Sequence, residues 1–167
     1  MVSSNRTRVP ISLLFDYLVV PRYYEQSDYY PSSMSEAEDI ATIILPRIMG
    51  DEYDYALRIG LEEALRNAYE HGNNMDSDKR IRVCWTDKPS IIVMDQGNTI
   101  RRDYYDYLKR FSHDNDGIPY YSYIGVDRPR GNYGMGTMLI HKPYNAQYYR
   151  GELGGLAVLL EPRAFLE

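Results

Sequence analysis

The chain has 167 residues, 44% hydrophobic and 26% charged, with a net charge of −5 and a pI near 5.2. That length suits one domain with a sizeable core, and the acidic balance argues against a nucleic-acid binder, whose footprint is basic. The single cysteine, Cys84, excludes an intrachain disulfide and reads as a small buried hydrophobe. With no signal peptide and no apolar run of spanning length, the cytoplasm is the expected location and no membrane contact is expected.

Val9–Val20 mixes β-branched and aromatic residues and reads as one or two strands. Pro21–Pro31 is a tyrosine-rich, turn-rich connection. Ser35 with Glu38 fits a capping box opening a helix with apolar Ala37, Ile40, Ala41 and Ile44. Pro46 and Gly50 end or bend it. Asp51 is expected to cap a second helix from about Glu52 to Glu70, with a core stripe of Leu57, Leu61, Ala64, Leu65 and Ala68. Gly72 reads as the residue that closes that helix. Ile81–Trp85 and Ser90–Met94 predict a hairpin across Thr86–Pro89. Asn98–Pro129 is a long polar insertion with one helical pattern, Arg102–Phe111; such a segment in a small domain reads as a functional lid or as partly disordered. Gly134–Lys142 predicts a third helix stopped by Pro143. Ala146–Tyr149 and Gly155–Leu160 predict a closing hairpin turned at Gly151–Gly155. This order, in one domain over residues 1–167, predicts an α+β sandwich: one mixed sheet with helices on one face.

Three segments carry chemistry. Glu63 and Asn67 lie four residues apart on the second helix, about 40° apart on one face, with His71 one turn further on the same flank. A carboxylate there can orient a hydroxyl while the amide oxygen binds a hard cation. Asp95 ends the apolar run Ile91–Met94, and Gly97 follows it. That carboxylate can accept from an exocyclic amine, and the glycine permits close approach of a flat ring; a polar strand end with a turn glycine is the competing account. Gly131, Gly134 and Gly136 lead into the Thr137–His141 helix, where free N–H groups and the helix dipole favour phosphate; a flexible surface loop is the competing account. Arg128 and Arg130 are within sequence reach of such a phosphate. The 18 tyrosines fit either an interface or ordinary half-buried surface.

Taken together, the order and spacing resemble the GHKL (Bergerat-fold) ATPases, and within them the anti-sigma-factor serine kinases. Glu63-x3-Asn67-Ala-x2-His71-Gly72-Asn73 looks like the N-box, Asp95-Gln-Gly97 like the first glycine box, and Tyr133-Gly134-Met135-Gly136 like the second. The resemblance runs from about Ser35 to Leu160 and implies a Bergerat-type two-layer sandwich with an ATP lid at about 98–130. It implies MgATP as cofactor: Asn67 on Mg2+, Glu63 as general base, Asp95 on the adenine amine, and Gly97 flooring the base pocket. Gly134, Gly136 and the Thr137 amide would hold the phosphates under the lid, with Arg130, Gly131 and Met135 also among the nucleotide-binding residues. His71 is expected to pack at the helix end. It further implies a cytoplasmic serine kinase acting on a small antagonist protein or sigma-factor partner. An ATP-gated protein-binding switch of the same fold is the alternative, and a phage- or chaperone-type ATPase component a third. The tyrosine-rich N-terminus and first helix offer a partner or homodimer face. Two departures stand out. Where the family has Gly-Thr-x-Val near its C-terminus, this chain has Gly155-Leu156-Ala157-Val158, and a second glycine is missing just after Gly97.

Overall fold

The computed structural model describes residues 7–29, 34–51, 53–113 and 136–166. In chain order the elements are β1 (Arg8–Pro10), β2 (Glu25–Tyr29), α1 (Met34–Met49), α2 (Tyr55–Asn67), β3 (Ile81–Thr86), β4 (Ser90–Met94), β5 (Thr99–Arg101), α3 (Arg102–His113), α4 (Gly136–His141), β6 (Tyr144–Arg150) and β7 (Leu156–Pro162). The main sheet runs β2-β3-β4-β7-β6 with antiparallel ladders throughout. Among the described residues one parallel contact joins it, the bridge between Tyr17 and Arg150.

Alternation along the strands divides the sheet into two faces. Val83, Trp85, Ile91, Val93, Val158 and Leu160 meet the apolar stripes of α1 and α2, namely Ala37, Ile40, Ala41 and Ile44, and Leu57, Leu61, Ala64 and Leu65. Cys84, Ile92, Met94 and Ala157 face the other way, under Leu18, Val20 and Tyr24 of the N-terminal segment. Cys84 is therefore the buried hydrophobe expected of it. β4 is central, and all five of its residues are buried. The fold is the expected α+β arrangement, with α1, α2 and Ile140 of α4 on one face.

Several expectations fail locally, each for an identifiable reason. Val9–Val20, read as one or two strands, carries only the end of the short β1 and one isolated bridge at Tyr17. After Pro10 the segment Ile11–Leu13 turns, and Ile11 drops into a buried cluster. Pro21–Pro31 contains β2, an edge strand whose Glu25 and Gln26 are exposed; its backbone pairing with β3 carries no apolar signature. Asp54, not Asp51, caps α2, its side chain accepting from the Ala56 amide at 3.0 Å. Gly50, with φ +69°, closes α1 as expected, while Pro46 lies within the helix. It starts at Met34, so Ser35 lies inside it rather than at its cap. Within the expected lid, Thr99–Arg101 and Arg102–His113 form β5 and α3, and β5 pairs with β1. Among the described residues no helix is long and apolar enough to cross a membrane.

Candidate functional site

Asp95 stands immediately past β4, its own amide continuing the ladder to the Leu156 carbonyl at 3.0 Å. Its Oδ1 accepts from the amides of Gly97 (3.0 Å) and Leu156 (3.1 Å). Glycines surround it. A Cβ at Gly72 would run into Oδ2, one at Gly155 into Oδ1, and one at Gly97 into the Gly72 carbonyl. Gly72 is thus required by a close approach, not by the helix ending expected of it, and its φ is not positive. The carboxyl is only 3% exposed. Burial pushes its pKa up to about 7, against the pull of the two amides and of Lys79 and Arg8.

Gly72 reaches Asp95 because α2 does not stop cleanly. Ala68–Gly72 widens into a π-helical turn, a feature frequent at functional sites. Asn73 locks that turn down: its Oδ1 accepts from the Gln96 amide at 2.8 Å, and its Nδ2 donates to the Arg80 carbonyl at 3.0 Å. His71 stacks on Tyr104 with ring centroids 5.1 Å apart. It packs at the helix end as expected and also contributes to the wall of a cavity.

That cavity lies between α2, the centre of the sheet and the β5–α3 unit. Asn67, His71 and Gly72 line one side, Val93 and Asp95 the floor, Leu156 and Val158 another, and Ile100 and Tyr104 the roof. Ile11, Tyr148 and Ile140 complete it. Apolar walls around few polar groups are the usual build of a small-molecule site. Gly97 is buried, and the glycine that lines the cavity is Gly72. Leu156 lines the cavity where the resembling family carries threonine.

Beside Asn67, α4 begins against the Glu63–Asn67 pair. A Cβ at Gly136 would lie 2.8 Å from Glu63 Oε2 and 3.5 Å from Asn67 Oδ1. Gly60 makes room for this, since a Cβ there would lie 2.8 Å from the Tyr144 ring and 3.0 Å from the Leu139 carbonyl. The Tyr144 hydroxyl donates to the Leu57 carbonyl at 2.7 Å, pinning the strand after α4 to α2. Glu63 is 6% exposed, and its Oε1 accepts from Arg66 Nη1 at 3.0 Å. Arg66 also reaches Glu38 on α1 at 3.0 Å and Glu62 at 3.9 Å. Thr137 is buried in the first turn of α4. His141, at its end, lies 3.1 Å from the Tyr148 hydroxyl; burial, then the nearby Arg163 charge, lowers its pKa to about 4.

Of the expected site residues the structure places Asn67 and Asp95 in the lining of one cavity, and Glu63 and Gly136 beside Asn67; Thr137 is buried next to Gly136 in the chain. Arg130, Gly131, Gly134 and Met135 lie outside the described residues. Sequence reasoning missed Ile11, Tyr104, Tyr148 and the role of Gly155. The tyrosine-rich stretch after Asn98 was the available signal for Tyr104. The residues present fit a magnesium nucleotide: a buried acceptor in a space only glycines leave open, apolar walls for a ring, and an amide oxygen beside a helix start. Mg2+ commonly takes one or two protein oxygens and completes its shell with phosphate and water.

Residues 30–160 match the family model of the histidine kinase-like ATPase domain. No curated protein matches the chain.

Proposed function

Since the chain belongs to the histidine kinase-like ATPase domain family, we propose that it is an ATP-binding regulatory protein acting as a serine kinase of the anti-sigma-factor type. Its substrate is a serine on a small antagonist protein in the cytoplasm, and its ATP-bound form holds a sigma-factor-like partner. Asp95 accepts from the exocyclic amine of the base. Asn67 offers its amide oxygen to Mg2+, and the first amides of α4, at Gly136 and Thr137, face the phosphates. Glu63 takes the proton of the incoming serine hydroxyl. Bound MgATP supplies the phosphoryl group and leaves as ADP.

The observation that carries this reading is the approach of Gly136 to both Glu63 and Asn67, with Asn67 and the buried Asp95 lining one cavity. Calorimetric titration of MgATP into the wild type and Asp95→Asn tests the base site; binding that survives unchanged in the variant refutes it. Glu63→Ala tests the transfer. Loss of a general base costs on the order of 100- to 10,000-fold in rate, with MgATP affinity held within a few-fold; persistent phosphorylation of the antagonist removes Glu63 from that role.

A second reading, an ATP-gated switch without phosphoryl transfer, draws support from the Arg66 guanidinium already engaging Glu63. A Glu63→Ala protein that still captures its partner in an ATP-dependent way, from a wild type that never phosphorylates it, would favour that reading.

A further inference from the structure

The family match covers residues 30–160, yet a wall of the cavity comes from outside it. Ile11, on the N-terminal arm, is 1% exposed and packs with Ile100 and Tyr104. The arm is fixed there by several bonds. β1 pairs with β5, Val9 opposite Ile100. The Ile11 amide donates to the Asn98 carbonyl and the Arg102 amide to the Thr7 carbonyl, both at 3.0 Å. Arg8 grips Thr99 twice, through Nε to Oγ1 at 2.7 Å and through Nη2 to the carbonyl at 3.0 Å. Thr99 itself lines the cavity.

We infer that this arm is a working part of the nucleotide site, with Ile11 an affinity-determining contact for the bound base or sugar and Arg8 the positioning residue that holds it there. The inference rests on the nucleotide reading above. A β1–β5 ribbon is short and marginal by itself, so its closure depends on what lies beneath Ile11. A flat ring against Ile11, Ile100 and Tyr104 adds apolar contact to the arm's inner side and favours the paired state. Nucleotide release then requires the ribbon to open, and opening the ribbon speeds release. Arg8 is exposed and contributes no core packing, so its loss weakens the latch without leaving a cavity.

The test uses the full chain with MgADP, which avoids turnover. Arg8→Ala and Ile11→Ala are each expected to release MgADP about ten times faster than wild type in stopped flow, with association little changed and Ile11→Val keeping release close to the wild-type rate. MgADP is also expected to slow amide exchange at Ile11 and Arg102 of the wild type. Should Ile11→Ala fail to fold, Arg8→Ala and the wild-type exchange decide the matter. Wild-type binding of MgADP with release rates indifferent to Arg8, and arm amides exchanging equally with and without ligand, overturns the inference while leaving the nucleotide site intact. A wild type that binds no MgADP overturns both.

Discussion

Replacing Asp95 by Asn removes a titration whose size follows from its surroundings. The carboxyl is enclosed by Gly72, Gly97 and Gly155, and its pKa rises from the ordinary 3.8 to about 7. At about 1.4 kcal/mol per tenfold change in proton affinity, the folded state favours the proton by about 4 kcal/mol relative to the unfolded chain. The pKa is raised on folding, so the stability it contributes is fully present below pH 4 and is lost as pH climbs through 7. Between pH 5 and 8 the loss is about 3 kcal/mol. Urea unfolding of the wild type and Asp95→Asn across that range should therefore show the wild type losing about 3 kcal/mol relative to the variant. Ligand binding carries the opposite preference, because an amine donor needs the ionised acceptor. MgATP affinity should fall towards tenfold per pH unit below 7, and binding near pH 7 should release protons, seen as a heat that varies with the buffer. Parallel stability curves for the two proteins would refute the account of a buried, proton-holding carboxyl.

Gly72→Ala places a Cβ against the Asp95 carboxylate; it should lower stability by about 2 kcal/mol and weaken MgATP binding at least tenfold, measured by thermal unfolding and calorimetry, and a wild-type Tm would contradict the packing. His141 titrates in the opposite sense to Asp95. Its pKa is lowered to about 4, so its contribution is present above 6.5 and is lost as pH falls through 4, about 3 kcal/mol in all. His141→Phe should therefore flatten the acid side of the stability curve, and an unchanged acid slope would remove His141 as its cause. The two effects oppose each other between pH 4 and 6.5, so the wild-type curve alone will look flatter than either contribution.

The parts of the fold legible in the sequence are those whose signal is local. The β3–β4 hairpin announced itself through Ile81, Val83, Ile91 and Val93, and α2 through its Leu57–Leu61–Ala64–Leu65 stripe. The site was legible where it is built from motifs on single elements, Glu63 with Asn67 and Asp95 after β4. What stayed hidden depends on partners distant in sequence. β2 exists because β3 offers it hydrogen bonds, and Ile11 reaches the cavity because β5, about ninety residues on, pairs with the arm that carries it. Asp51 and Asp54 are equally good caps on paper, and only the helix start separates them. The glycines at 72 and 155 look like turn residues until Asp95 is seen between them.

Asp95 is fastened at Oδ1 by two main-chain amides, those of positions 97 and 156. An amide is supplied by any residue other than proline, so the side chain at 156 is released from the task of holding the carboxylate. Anchoring and tuning are thus separable at one address: threonine, leucine or valine there would leave the acceptor in register while changing what the neighbouring ligand atoms meet. Exchange at position 156 would accordingly reshape the cavity wall while leaving the anchor of Asp95 intact.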